Sequence, residues 1–243
     1  MSVRGKAKGA EGPSEVPWEP LPKLGAAARS AIEEEALRLN DRYLLEVIER
    51  YAFCPFAKEG RTAGQTRRTV VISDSRSMEP LLEAMEETVR LGAVVAQIIL
   101  PLVELGAADF IRFCVELTAA GHARMAGRPV LAVAPLHPEL PFGETPLAMV
   151  PLFRRSPDPT IQWVRLDGLE SIYAGRSSED HYVSPDELLQ YFERYPKGMP
   201  SLYDRIAMTN TAMAKRLGVP HVVDLLRGIS AEGRRRYQRI LLS

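Results

Sequence analysis

The chain has 243 residues, 46% of them hydrophobic and 26% charged, a globular composition with enough apolar material for one sizeable core or two small ones. Its 31 basic and 31 acidic residues cancel, so no overall field favours nucleic acid, an anionic membrane or a cationic partner. No run of about 18 apolar residues occurs, which excludes a spanning helix, and the basic start without an apolar stretch is not read as a secretory signal.

Residues 1–30 mix Pro, Gly, Ala and charge with little apolar periodicity and are expected to form a disordered tail, with Trp18 the side chain suited to docking on the body. From Ser30 the pattern turns helical. Ala36, Leu39, Tyr43, Val47 and Tyr51 recur at three- and four-residue spacing, and Leu44 and Ile48 widen the stripe. The helix should end near Phe53, because Pro55 disfavours the α conformation at Cys54. Thr69-Val70-Val71-Ile72 reads as a short strand. A helix follows, capped by Ser77 with Pro80 in its first turn and Leu82, Met85 and Val89 facing inward. Val94–Leu100 is a second strand, and Phe110, Phe113, Cys114 and Leu117 mark another helix. Gly127-Arg128-Pro129 punctuates before a third strand, Val130–Ala134.

Thr160–Leu166 is the fourth strand, with Ile161, Trp163 and Arg165 on one face and Gln162, Val164 and Leu166 on the other. Ser184-Pro185-Asp186-Glu187 is a capping box, followed by Leu188, Phe192 and Tyr195 at helical spacing. A further helix runs from Ser201 to Leu217, with Ile206, Met213 and Leu217 inward and Gly218 as its stop. The pattern predicts a single α/β domain over 31–218, a small mixed sheet of about four strands packed with helices in a two-layer, sandwich-like arrangement. Residues 219–243 read as a basic helical extension. Its Arg234, Arg235, Arg236 and Arg239 form a solvated face, and without interleaved aromatics they do not suggest a nucleic-acid surface.

Two cysteines are too few for a disulfide framework, and a reducing cytoplasm is the expected setting. Cys54 is the more informative of the two. At the end of the preceding helix it would meet a negative pole and be inert; as the cap of a short turn, free N–H groups and Lys58 would stabilise a thiolate. Cys114, on an apolar helical stripe, reads as core. Of the four histidines, His122, His181 and His221 sit in incidental contexts. His137 directly follows a buried strand, where α/β sheets commonly place ligand-facing groups. The segment Phe153-Arg154-Arg155-Ser156-Pro157-Asp158-Pro159, leading to Arg165, offers guanidinium groups that could grip a carboxylate or phosphate, or else form salt bridges. Dinucleotide, Walker, nucleophile-elbow, H-E-x-x-H and C-x-x-C motifs are absent, so the motifs assign no cofactor and no metal.

Cys54-Pro55-Phe56-Ala57-Lys58, Gly64-Gln65, His137-Pro138 with Phe142, and Arg155-Ser156-Pro157 before Pro159-Thr160 together resemble the bacterial domain of unknown function 1415 family. Its members read N-L-C-P-F-A-K, H-P-x-Y-x-F and N-R-S-P-Y-P-T-x-H-L-L-R, and the resemblance spans roughly residues 38–217. This chain departs from those patterns at Arg154 (Asn in the family), Asp158 (Tyr), Gln162 (His) and Leu140 (an aromatic). The resemblance implies that Cys54, His137, Arg155 and Arg165 are motif positions, and it implies no activity.

Three functions follow from these residues. The first is an enzyme acting on a small anionic substrate, with Cys54 as nucleophile or redox thiol, His137 as acid or base, and Lys58, Arg155, Ser156 and Arg165 holding the anion. It requires Cys54 and His137 to converge. The second is a non-catalytic partner-binding module. The third is a haem protein ligated through Cys54-Pro55, with His137 as partner.

Overall fold

The computed structural model describes residues 15–54, 56–125, 131–165 and 202–242. Helix α1 (Ala26–Arg42) runs directly into a π-helical segment (Tyr43–Glu49). The expected stripe of Ala36, Leu39, Tyr43 and Val47 is buried, and the wider π turn keeps Leu44 and Ile48 buried on the same side. The Phe53 N–H then donates to the Ile48 carbonyl (2.9 Å), and Ala52 turns the chain with φ +53°. A short helix α2 (Ala57–Thr62) leads to β1 (Thr66–Val70), α3 (Glu79–Arg90), β2 (Val95–Ile99) and α4 (Ala107–Arg124). After β3 (Leu131–Leu136) come α5 (Pro146–Met149), a 3₁₀ turn (Val150–Arg154), β4 (Thr160–Arg165), α6 (Leu202–Leu217) and α7 (Val219–Leu242).

The strands form one mixed sheet in the order β1-β2-β4-β3, as the α/β reading anticipates. β1 and β2 are parallel across the α3 crossover, and β4 lies antiparallel between β2 and β3. The alternation read from β4 holds. Ile161 and Trp163 enter one apolar cluster with Phe110, Phe113, Cys114 and Leu117 of α4 and Leu81, Leu82 and Met85 of α3. Trp163 is fully buried, and its indole N–H donates to Thr118 Oγ1 (2.9 Å). On the other face Ile99 and Leu136 join a second cluster with α1, the π segment and α7. Helices therefore cover both faces of the sheet, and a third layer joins the two expected.

β1 begins three residues earlier than expected. Its Arg67 and Arg68 are long enough to reach across opposite faces, Arg67 to Glu87 of α3 and Arg68 to Asn40 and Asp41 of α1. The tail expected over 1–30 does not extend to its predicted end. From residue 15 the chain is docked: Glu15 bridges Ser77, Val16 and Trp18 are buried, and Trp18 meets Phe113 edge-on with ring centroids 4.8 Å apart.

The C-terminal segment also proves to be core rather than extension. Gly218 adopts φ +87°, a conformation that suits glycine, and ends α6 before α7 folds back onto α1. Val222, Leu226, Ile229 and Tyr237 are buried there, and at Gly233 the helices are so close that a Cβ would lie 2.6 Å from Leu39 Cδ1. Glu232 closes the seam by accepting from Arg38 (2.8 Å) and Arg42 (2.5 Å) of α1. Arg234, Arg235 and Arg239 are exposed, as their pattern suggests. The capping box at 184–187, its helix and His181 lie outside the described residues. Among the described residues, no helix is long and apolar enough to cross a membrane.

Candidate functional site

On the α1 side of the sheet, over the amino-terminal halves of β1 and β2, lies a cleft of about 250 Å³. Its floor is sheet: Thr66 of β1, Val95 and Gln97 of β2, Gln162 and Val164 of β4. Its walls are Tyr43, Leu44 and Ile48 of the π segment, Phe53, Phe56 and Ala57 before and within α2, Val150, Phe153 and Arg154 of the 3₁₀ turn, and Ile206, Ala207 and Asn210 of α6. The lining is mainly apolar and aromatic with a few convergent polar groups, the usual make-up of a small-molecule site.

Cys54 stands in this lining and is exposed, held there by its neighbour. Phe53 is clamped through its N–H to Ile48, through its carbonyl to Asn210 Nδ2 (2.7 Å), and through its ring against Phe153, 4.3 Å between centroids. The two placements weighed for Cys54 both give way to a third. The preceding helix ends at Glu49 and the cap of α2 is Phe56, so Cys54 belongs to the link between them. Its carbonyl accepts from the Ala57 N–H (3.3 Å). Tyr43 donates from its hydroxyl to the Phe153 carbonyl (2.5 Å). Burial first, and then the nearby Cys54, push the Tyr43 phenol above its ordinary pKa, while Arg154 pulls it down. Thiol, phenol and guanidinium thus share one corner of the cleft.

The other residues singled out from sequence lie elsewhere. His137 is buried on the α4 side of the sheet, its ring 5.6 Å from that of Phe110. Its Nε2–H donates to the Leu105 carbonyl (2.9 Å) and its Nδ1 accepts from the Glu139 N–H (3.1 Å). Burial lowers its pKa, so the ring is neutral and both nitrogens are occupied. His137 misses the cleft because side chains alternate at the end of β3: Leu136 faces the cleft, and His137, one residue on, faces the α4 side. His137→Leu should orphan the Leu105 carbonyl and the Glu139 N–H, costing about 2–4 kcal/mol in urea unfolding. Alkylation of Cys54 in the folded variant should keep its native rate, which a catalytic pair would not allow.

Arg155 donates from Nε to the Leu140 carbonyl (2.8 Å), and its guanidinium lies over the Phe142 ring at 4.7 Å. Burial first and then Arg227 lower its pKa. Ser156 is fully buried and donates to the Asp158 carbonyl (2.5 Å), which makes it a turn-former. Arg165 shares the face of Trp163, with its guanidinium against Gly92, where a Cβ would lie 3.5 Å away. Lys58 is exposed on α2, and its charge acts on Glu49. Arg61 reaches the cleft but is committed to a two-pronged pair with Glu49 (2.7 and 2.8 Å). The expected Cys54, His137, Arg155 and Arg165 cluster is therefore dispersed over both faces of the sheet.

The sequence model of the family described as protein of unknown function (DUF1415) matches residues 36–188, well over half of the chain. The chain belongs to DUF1415. No curated protein and no solved structure matches it. The DUF1415 match covers the π segment, Cys54, the whole sheet and the 3₁₀ turn, and it stops short of α6 and α7, which complete the cleft wall and the core.

Several cleft residues were not singled out as site residues. Arg154 replaces the Asn of the resembling DUF1415 pattern, and Gln162 stands where that pattern has His. Both face the cleft with Cys54. Gln162 accepts from Gln97 Nε2 (2.9 Å) across the directly paired β2 and β4 positions. Gln97 and Asn210 carried no motif at all. The alternation of β4 places Gln162 on the face opposite Trp163, and with Trp163 buried against α4, Gln162 faces the cleft. The departure at Arg154 was the second available signal. Among the described residues no three His, Cys, Asp or Glu side chains gather into a metal-holding group.

Proposed function

We propose that this chain binds a small organic carboxylate in the cleft, with the charged end at Arg154 beside Cys54 and an apolar, preferably aromatic body against Phe53, Phe56 and Phe153. The observation that carries the reading is Arg154. It is a half-buried cation in an apolar cleft, without a carboxylate partner among the described residues. A guanidinium in such surroundings binds an anion more strongly than it would in water.

The reading is of binding rather than proton-transfer catalysis. The neutral Gln162 amide cannot act as a base, and no described histidine lines the cleft. A haem reading through Cys54 has no support from His137, which is engaged on the opposite face. Neither cysteine is in a disulfide, which fits a bacterial cytoplasmic setting for the same proposal.

The test is calorimetric titration with phenylpropionate. The parent should bind it, and Arg154→Gln should weaken binding about tenfold or more, the usual worth of a hydrogen bond to a charged group. No binding by the parent, or equal binding by the variant, would contradict the proposal.

A further inference from the structure

Resting on that reading, the α6 wall of the cleft places a second demand on the ligand. Asn210 lines the cleft beside Phe53 and keeps only 5% of its surface exposed. Its amide has one possible orientation. Nδ2 donates to the Phe53 carbonyl (2.7 Å), and because a carbonyl only accepts, a half-turn of the group would set two oxygens against each other. Oδ1 is thereby fixed on the other side. Among the described residues nothing donates to it, and it keeps accessible surface, unlike the sealed Oε1 of Gln97.

The groups around Asn210 leave that oxygen to a guest. Ile206 and Ala207, its α6 neighbours in the wall, have no side-chain donor. The Thr211 hydroxyl is spent on the Ala207 carbonyl (2.8 Å), and the Tyr43 phenol on the Phe153 carbonyl (2.5 Å). Arg205 Nε and Thr209 Oγ1, unpartnered atoms of the same helix, are buried outside the cleft lining. What the guest offers must be a donor, since Oδ1 only accepts. It must also be neutral. Among the described residues the lining contains no carboxylate, and Arg154 already brings a positive charge, so an ammonium would meet a like charge and no counter-ion.

We infer that the cleft selects a carboxylate that also carries a neutral hydrogen-bond donor, with the carboxylate at Arg154 and the donor on Asn210 Oδ1. An N-acylated amino acid is the simplest molecule with both groups and an apolar body. The two contacts are tied together through Phe53. Asn210 holds its carbonyl, and its ring packs 4.3 Å from that of Phe153, the residue before Arg154. Asn210 is thus a specificity residue, and its bond should be worth about threefold to tenfold in affinity, as a neutral hydrogen bond usually is.

The experiment compares hippurate with β-benzoylpropionate by calorimetry on the full-length protein. These carboxylates have the same length and differ only in an N–H against a methylene. The parent should bind hippurate about threefold to tenfold more tightly, and Asn210→Ala should bind the two alike. An N–H buried without an acceptor is penalised. Equal affinities for the parent, or a preference for β-benzoylpropionate, would therefore overturn the inference and leave the carboxylate-binding reading intact. Failure of both probes to bind would overturn that reading, and the donor inference with it. The parent comparison does not depend on how any variant folds. An Asn210→Ala protein that folds and still prefers hippurate would overturn the assignment of the donor contact to Asn210.

Discussion

A chain ending at Gly218 should lose its cooperative thermal unfolding transition. Helix α7 places Val222, Leu226, Ile229 and Tyr237 in the core, and burial of each large side chain is worth about 1.5–3 kcal/mol. Removing the helix also uncovers Ile32, Ala36 and Leu39 of α1 and strips Arg38 and Arg42 of Glu232. The sum of these losses approaches the whole stability of an ordinary domain, about 5–15 kcal/mol. Circular dichroism should show residual helix without a sharp melt. A sharp transition within a few degrees of the full chain would mean that α7 is dispensable, and that the segment matching the family is close to self-sufficient.

The second large effect is a dependence of stability on pH carried by one carboxyl. Asp158 is buried, with Tyr237 Oη donating to its Oδ2 (2.9 Å) and Glu35 as the acidic neighbour. Burial raises its pKa to about 7 from an ordinary 3.8, against the lowering effect of the Tyr237 bond. The folded protein thus keeps a proton that the unfolded chain releases above about pH 4. Stability from this group is fully present below that pH and is lost as pH rises through 7, by about 4 kcal/mol in all.

Asp158→Asn keeps an acceptor for Tyr237 and carries no charge. In urea, the variant's midpoint should exceed the parent's at pH 8 and approach it at pH 4. The lowered carboxyls Glu46, Glu49 and Glu232, each held down by arginine, act in the opposite sense at acid pH in both proteins and cancel in the comparison. A parent-to-variant difference that stays constant from pH 4 to pH 8 would show that Asp158 does not titrate in that window.

The elements were legible wherever local pattern decides them. The α4 stripe of Phe110, Phe113, Cys114 and Leu117 is buried as read, and the alternation of β4 separates Trp163 from Gln162. Docking of Trp18 was anticipated but not its site, and the return of α7 was not legible, because both depend on surfaces formed by distant segments: Phe113 for the first, Leu39 and Ala36 for the second. The π segment escaped for a subtler reason, since its apolar spacing of four suits an α-helix as well as a wider turn.

The site was legible in one residue, Cys54. Motif positions were read as functional groups, yet His137 bonds the Leu105 carbonyl and the Glu139 N–H, Arg155 Nε the Leu140 carbonyl and Ser156 the Asp158 carbonyl, all of them backbone groups. Their spacing records the shape of a loop. What completes the cleft comes from residues with no motif, Gln97 and Asn210, and from two departures from the family pattern, Arg154 and Gln162.

The proposed carboxylate site requires Cys54 and Arg154 to share an anion-binding corner. The direct measurement is the ratio of Cys54 alkylation rates with iodoacetate and with iodoacetamide, which deliver the same kind of carbon with and without a negative charge. Cys114 should stay silent in the folded protein, since it is buried and its thiol is pushed up by burial. At low salt the native ratio should exceed that of the unfolded chain several-fold, and Arg154→Gln should return it to the unfolded value. A native ratio equal to or below the unfolded one would show that no anion is drawn to Cys54, and the carboxylate site would be refuted.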